Sequence, residues 1–127
     1  MRVLTDTHIL LWALLQPERL DAVRRDVLES PEHQVFFSAV NIWEIAIKRA
    51  LDRLDLDVEP DVIHRAAVET GFRELPVSAV HAAAVRHLPA HHRDPFERLL
   101  IAQALTEPLL LMTDDPLISL YHAIQIA

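Results

Sequence analysis

Short apolar runs alternate along this chain with longer segments of helical periodicity. The runs are rich in residues that favour β-structure and are bounded by polar or turn residues, which predicts strands. The predicted strands are residues 2–5, 34–37, 72–77, 108–113 and 122–127. The segments between them predict helices at 7–15, 21–30, 39–51, 60–70, 78–88 and 95–107, and Asp115-Pro116 begins another short helix. Strands that alternate with helices are typical of a parallel sheet covered on both faces.

Caps and breakers set the predicted helix boundaries. Pro17 stops the first helix, Ser38 is a candidate N-cap, Gly71 suits the position after a helix, and Pro95 suits a first helical position. We therefore predict a three-layer α/β/α domain that spans residues 1–127, with a mostly parallel sheet of four to five strands.

The helix at 39–51 carries one apolar stripe along its length. The residues of this stripe are Val40, Trp43, Ile47 and Leu51. Such stripes usually face the core, so we predict that Trp43, and likewise Trp12 in the first helix, are core residues. The alternative for either tryptophan is stacking on a nucleic-acid base.

Composition narrows the possible functions. The chain has 127 residues and a formal net charge of −7, which argues against indiscriminate binding to nucleic acid. A single glycine excludes the glycine-rich loops that cradle nucleotides, and the lack of cysteine excludes thiolate chemistry. With neither a signal peptide nor a membrane span in evidence, we expect a cytoplasmic protein.

Acidic residues follow several of the predicted strands. They are Asp6, Glu44, Asp94 and the Asp114–Asp115 pair. If the strands are parallel neighbours, these carboxylates meet at one edge of the sheet, where α/β domains bind their ligands. Two such charges about 5 Å apart repel by roughly 3 kcal/mol at an effective dielectric constant of about 20, so protonation or a cation must relieve the cluster. The pattern predicts a divalent-metal site.

Each acid also has a structural interpretation. Asp6 and Asp115 stand where helix caps stand, and Asp94 with Glu97 fits a capping box. Glu44 lies in mid-helix, where capping explains nothing, and its structural interpretation is an ion pair with Lys48 four residues on.

The donor set indicates which metal to expect. Carboxylate oxygens without cysteine suit Mg²⁺ or Mn²⁺. The histidines His8, His91 and His92 raise zinc as an alternative, but their spacing matches no zinc motif. Whether His8 or His92 assists proton transfer stays open at this stage.

Basic residues accompany the acids. Lys48, Arg49 and Arg53 follow Glu44, while Arg93 and Arg98 flank Asp94. One interpretation is intrahelical pairing of Glu44 with Lys48 and of Asp94 with Arg98. The other is contact with phosphates at the rim of the acidic pocket, for which the candidates are Lys48, Arg49, Arg53, Arg93 and His92.

Four motifs in order give the chain a family resemblance. They are LTDTHILLW, SAVNIWEIAIK, HHRDPFERLLIAQAL and LMTDDPLISLY. Together they resemble PIN-domain ribonucleases, specifically the VapC-type toxins of toxin–antitoxin pairs. The resemblance implies that Asp6, Glu44 and Asp94 are metal-site acids.

The fourth acid of that family lies in a T-x-D element, which here is Thr113-Asp114-Asp115. Asp115 matches by spacing, with Asp114 as the alternative and Thr113 as a further candidate ligand. Glu97 stands where related sequences commonly carry Asp, so the resemblance leaves open whether it touches metal directly or through water.

The resemblance further implies an endoribonuclease that uses Mg²⁺ or Mn²⁺ to activate water, forms a homodimer and is inhibited by a VapB-like antitoxin. Two other functions compete with it. A non-catalytic acidic module could bind an arginine-rich protein. A phosphatase-like domain would form an aspartyl-phosphate at Asp6, but the position two residues on is His8 rather than an acid, and the only lysine is Lys48.

Overall fold

The computed structural model describes residues 1–54, 56–91 and 93–116. Its four strands are β1 (Arg2–Thr5), β2 (Gln34–Ser38), β3 (Arg73–Leu75) and β4 (Leu110–Met112). They form one sheet in the order β3-β2-β1-β4, and every neighbouring pair is parallel. The predicted strand at 122–127 and most of the helix predicted after Asp115 lie outside the described residues.

Six α-helices connect and cover the strands in the described part of the chain. They are α1 (Thr7–Leu15), α2 (Ala22–Glu29), α3 (Ala39–Ala50), α4 (Pro60–Thr70), α5 (Ala79–Ala84) and α6 (Pro95–Thr106). Short 3-10 turns follow α1 at Pro17–Arg19 and α5 at Val85–His87. Within these bounds, no helix is long and apolar enough to cross a membrane.

Successive strand residues point to opposite faces of the sheet, and both faces are buried. Val3, Val35 and Phe37 pack with residues of α1, α2 and α4 on one face. Leu4 and Phe36 pack with α6 on the other face, where α5 lies against α6. Because each face is covered by helices, the interior residues of β1 and β2 are mostly apolar, whereas the edge strand β3 exposes Arg73 and Glu74. The predicted three-layer α/β/α fold is confirmed.

Local sequence explains most of the helix ends. Asp6, Asp21, Ser38, Ser78 and Asp94 each cap a helix with a side-chain oxygen. Gly71 ends α4 with a φ of 100°, a left-handed conformation that glycine adopts without a steric cost.

Several predicted elements are shorter in the structure. The strand predicted at 72–77 forms only over Arg73–Leu75. The helix predicted at 78–88 ends as an α-helix at Ala84 and continues as a 3-10 turn. The strand predicted from residue 108 begins at Leu110, because the Leu109 amide donates to the Ala104 carbonyl oxygen and so closes the end of α6.

The prediction for the apolar stripe of α3 is wrong. Val40 is buried, but Trp43 is 49% exposed, and Ile47 and Leu51 are also exposed. The buried positions further along this helix are Asn41, Glu44 and Ile45. The helix is therefore turned so that part of its polar face points inward. Trp12 is partly buried against the core, in line with its prediction.

Candidate active site

Asp6 lies where β1 leaves the sheet and α1 begins. Its Oδ1 accepts a hydrogen bond from the Ile9 amide at 2.8 Å, which caps α1 and fixes the direction of the carboxylate. Its own amide donates to the Met112 carbonyl oxygen of β4 at 3.0 Å. The residue is only 2% exposed, so the central strand delivers a buried acid to the carboxyl edge of the sheet.

Burial raises the pKa of Asp6 to about 6, because desolvation penalises the charged form. Hydrogen bonds from the Thr113 side chain and the Ile9 amide work in the opposite direction, as does the neighbouring His8. The charge of Asp114 raises the pKa further, which places Asp114 within electrostatic reach of Asp6.

Glu44 projects from the second turn of α3 into the same edge and is 3% exposed. Its Oε1 accepts a hydrogen bond from Thr7 Oγ1 at 2.6 Å. Thr7 in turn accepts from Asn41 Nδ2 at 3.0 Å, and Asn41 Oδ1 accepts from the Ser38 amide at 2.7 Å. A chain of buried hydrogen bonds thus orients Glu44 from the end of β2 through the start of α1.

The other oxygen of Glu44 is paired with a cation. Lys48 Nζ lies 2.5 Å from Glu44 Oε2, one helical turn away, as the spacing predicts. Partial burial works to lower the pKa of Lys48, but the bond to Glu44 and the charges of Glu44, Asp94 and Glu97 together raise it. The ammonium group therefore lies within the field of the acidic residues rather than on a remote face of the helix.

Asp94 and Glu97 bring acids to this edge from α6. Asp94 Oδ1 accepts from the Phe96 amide at 2.9 Å and the Glu97 amide at 3.4 Å, so the predicted cap is present. Glu97 Oε2 is buried, and among the described residues it has no hydrogen-bond partner. A capping box would instead direct the Glu97 carboxylate to the backbone of its cap residue.

The surroundings of the Glu97 carboxylate show that several acids lie near one another. Burial, followed by the charges of four acids, raises its pKa to about 8. Those four acids are Asp6, Glu44, Asp94 and Asp115. They come from four different segments of the fold, namely the start of α1, the second turn of α3, the start of α6 and the exit of β4. Glu97 lies within electrostatic reach of all of them. The structure thus brings together the acids that the sequence singled out.

The exit of β4 supplies Thr113, Asp114 and Asp115. Thr113 is buried and bonds to Asp6, and its Oγ1 accepts from the Asp115 amide at 3.0 Å. Asp115 is half-buried, and its charge raises the pKa of Glu97. Asp114 is exposed, and its charge raises the pKa of Asp6. Both candidates for the fourth acid therefore border the cluster.

Two supporting residues escaped the sequence analysis. Arg24 of α2 donates from Nη2 to the Thr113 carbonyl oxygen at 2.8 Å and from Nη1 to Asp21 at 3.0 Å. Gln103 of α6 is fully buried, and its Oε1 accepts from Ser38 Oγ at 2.5 Å. A polar residue inside an apolar helix was the available signal for Gln103, whereas Arg24 gives no local signal.

The candidate RNA-binding residues have varied surroundings. Arg49 pairs with Asp57 at 2.6 Å and Glu59 at 3.5 Å. Arg53 and Arg93 are exposed, and His92 lies outside the described residues. The side chain of Arg98 donates from Nη1 to the Pro89 carbonyl oxygen and from Nη2 to that of Val85. Arg98 thus secures the segment before α6.

Comparison with known proteins assigns the family. The PIN domain family matches residues 3–121, which is nearly the whole chain. The chain belongs to the PIN domain family. No curated protein sequence matches it.

Solved structures share the fold of this PIN domain. VapBC2 from Rickettsia felis, bound to a DNA fragment from its promoter, gives a TM-score of 0.73 at 12% identity and covers 100% of this chain and 98% of its own. FitAcB from Neisseria gonorrhoeae gives a TM-score of 0.59 at 19% identity, and the match covers 98% of this chain and 95% of the FitAcB chain. FitAB bound to an IR36 DNA fragment gives a TM-score of 0.63 at 20% identity, and the match covers 98% of this chain and 93% of the FitAB chain.

The donor set of this PIN domain fits a hard divalent cation. It offers buried carboxylate oxygens and a hydroxyl, and the buried Glu97 Oε2 lacks a hydrogen-bond partner within the described ranges. In the same ranges, no three His, Asp or Glu side chains stand together in the arrangement of a formed metal site. The carboxylates of Asp6, Glu44 and Asp94 are turned toward protein donors, namely Ile9, Lys48 and Phe96.

Proposed function

We propose that this PIN domain is a metal-dependent endoribonuclease, the toxin of a VapC-type toxin–antitoxin pair. The observation that carries the proposal is the buried Glu97 Oε2, which has no hydrogen-bond partner among the described residues and lies within electrostatic reach of four further acids. Such a concentration of like charge costs free energy unless protonation or a bound cation relieves it. PIN nucleases generally use divalent metal ions, which agrees with this requirement.

We assign the metal ligands to Asp6, Glu44, Asp94 and Asp115, with Asp114, Glu97 and Thr113 as further candidates, and the ion to Mg²⁺ or Mn²⁺. When bound, the ion would activate water and stabilise the leaving oxygen of a phosphodiester. Hydrogen bonds within the chain hold the carboxylates that would bind the ion in fixed orientations. The Ile9 amide and Thr113 hold Asp6, Thr7 holds Glu44, and the start of α6 holds Asp94.

The family and the similar solved structures support a proposed substrate and partners. The three solved structures compared above are of VapBC and FitAB proteins, which supports a VapB-like antitoxin as partner. We propose RNA as substrate and a homodimer as the working form. Basic side chains at the rim would contact phosphates, with Arg53, Arg93 and His92 as candidates.

Loss of one carboxylate tests this function. We expect Asp6→Asn to reduce Mg²⁺-dependent cleavage of total cellular RNA by at least about a hundred-fold, since the central ligand is lost while the fold loses only repulsion. Mapping of RNA ends with Mg²⁺ or with EDTA measures the effect and identifies the cleavage sites.

The matched control is Asp26→Asn, which removes an exposed acid from α2 and should leave cleavage unchanged. Equal cleavage by the Asp6→Asn and Asp26→Asn proteins at the same Mg²⁺ concentration would contradict the assignment.

One observation favours a second candidate, the non-catalytic acidic module. The Lys48 ammonium shows that a cationic side chain fits against Glu44 at 2.5 Å. An arginine of a partner protein could occupy the cluster in the same way. This function predicts tight binding of an arginine-rich peptide with no metal-dependent cleavage, so the same RNA assay separates the two.

A further inference from the structure

Lys48 is the one lysine of the chain, and it lies against the acidic cluster. Its ammonium nitrogen bonds Glu44 Oε2 at 2.5 Å, while the Glu44 side chain is 4% exposed and that of Lys48 is 30% exposed. The pair thus joins a buried carboxylate to a cation that still reaches solvent.

The two partners differ in how firmly the fold holds them. Glu44 is fixed from its other oxygen by Thr7, which Asn41 and the Ser38 amide position in turn. Among the described residues the Lys48 ammonium group bonds Glu44, and it stands at the end of a flexible four-carbon side chain. The lysine can therefore leave while the carboxylate stays in place.

We propose that Lys48 is a built-in counter-cation of the metal-free site, which competes with the divalent ion for Glu44 and is displaced when the ion binds. This inference rests on the proposed metal-dependent function. Two cations cannot share one carboxylate oxygen at bonding distance without strong repulsion. Metal entry therefore requires the Lys48–Glu44 bond to open.

Competition has two consequences that can be measured. In the absence of metal the lysine relieves the repulsion among the acids, so its removal should lower the stability of the metal-free protein. In the presence of metal the lysine opposes binding, so its removal should raise affinity. A residue that served only as a structural support, or a cation remote from the cluster, would not raise metal affinity when removed.

Calorimetric titration with Mg²⁺ alone tests the competition. We expect Lys48→Gln and Lys48→Met to lower the Kd for Mg²⁺ about ten-fold, the equivalent of about 1.4 kcal/mol, relative to the parent protein at about pH 8. Lys48→Arg keeps the charge and should stay within about two-fold of the parent. In EDTA the two neutral variants should melt below the parent, and saturating Mg²⁺ should raise their melting temperature by more than it raises the parent's.

Arg65→Gln is the matched control for long-range charge. It removes the same charge from an exposed side chain of α4 that is not a candidate RNA-binding residue. We expect its Kd for Mg²⁺ to stay within about two-fold of the parent, because exposed charges are screened over about 10 Å.

Each outcome decides between distinct conclusions. An unchanged or weaker Mg²⁺ affinity in folded Lys48→Gln overturns the competition, and so does an equal gain in Arg65→Gln. If the parent protein and all variants fail to bind Mg²⁺ or Mn²⁺, the proposed metal-dependent function fails instead. Lys48→Gln keeps a hydrogen-bond donor beside Glu44, so it remains informative if Lys48→Met does not fold.

Discussion

At the scale of single residues, this site is built from groups that serve the fold and the chemistry together. Asp6 and Asp94 cap helices, and the cap also aims the carboxylate. Glu44 has no cap to make and is instead held by a hydroxyl and an ammonium group. Because capping does not explain Glu44, this acid is the one whose position in the sequence most directly indicates a metal site.

Thr7→Val tests how Glu44 is held. The substitution keeps the shape of the side chain and removes the hydroxyl that bridges Asn41 and Glu44. We expect a loss of about 1–3 kcal/mol in the free energy of unfolding, because buried polar atoms are left without partners. Urea unfolding measures the loss.

Thr7→Ser retains the hydroxyl and is the control for this substitution. Its loss of stability should be clearly smaller than that of Thr7→Val. Equal losses in the two variants would mean that packing of the methyl group, and not the hydrogen bonds, matters at this position.

At the scale of elements, the sequence predicts which segments are strands and helices better than it predicts how they are turned. The apolar runs of β1 and β2 and the caps of α1, α3 and α6 are local signals, and the structure confirms them. The rotation of α3 depends on bonds from Asn41 and Glu44 to Thr7, more than thirty residues away in sequence. The apolar stripe of α3 therefore predicted the wrong side of this helix to face the core.

Arg24→Met tests a hydrogen bond between α2 and the segment after β4, which no local sequence pattern predicts. Arg24 joins α2 to the Thr113 carbonyl oxygen at the exit of β4, across 89 residues of sequence. We expect its loss to cost about 1–2 kcal/mol of stability, since a charge-assisted bond to a partly buried carbonyl is removed. Cleavage of RNA should fall as well, because the Thr113–Asp115 segment loses a support.

The adjacent Arg25→Met is the matched control. Arg25 pairs with Glu29 in an exposed contact within α2, and such pairs contribute about 0–1 kcal/mol. If thermal denaturation and cleavage are affected alike in both variants, Arg24 has no special role at the site.

At the scale of the whole molecule, the acidic cluster makes stability depend on pH. Asp6 and Glu97 have pKa values raised from 3.8 to about 6 and from 4.5 to about 8. The folded state therefore binds protons more tightly than the unfolded state between these values, so stability is lost as pH rises through them.

We expect the metal-free protein to melt several degrees higher at about pH 6 than at about pH 8, since roughly 4 °C corresponds to 1 kcal/mol in a domain of this size. Scanning calorimetry in EDTA measures this slope. Glu97→Gln should flatten it, whereas Glu69→Gln, which changes an exposed acid of α4, should preserve it. A melting temperature that rises with pH in this range would refute the buried-acid account.

The sheet order has a consequence for how the protein is made. β1 is the first strand of the chain, yet it pairs with β4, so that Val3 lies opposite Leu110 and Asp6 bonds to Thr113. A ribosome must therefore release almost the entire described chain before the first acid meets its last neighbours. The cluster cannot form before β4 has been made, and a nascent chain that stops short of β4 carries Asp6, Glu44 and Asp94 without Asp114 and Asp115.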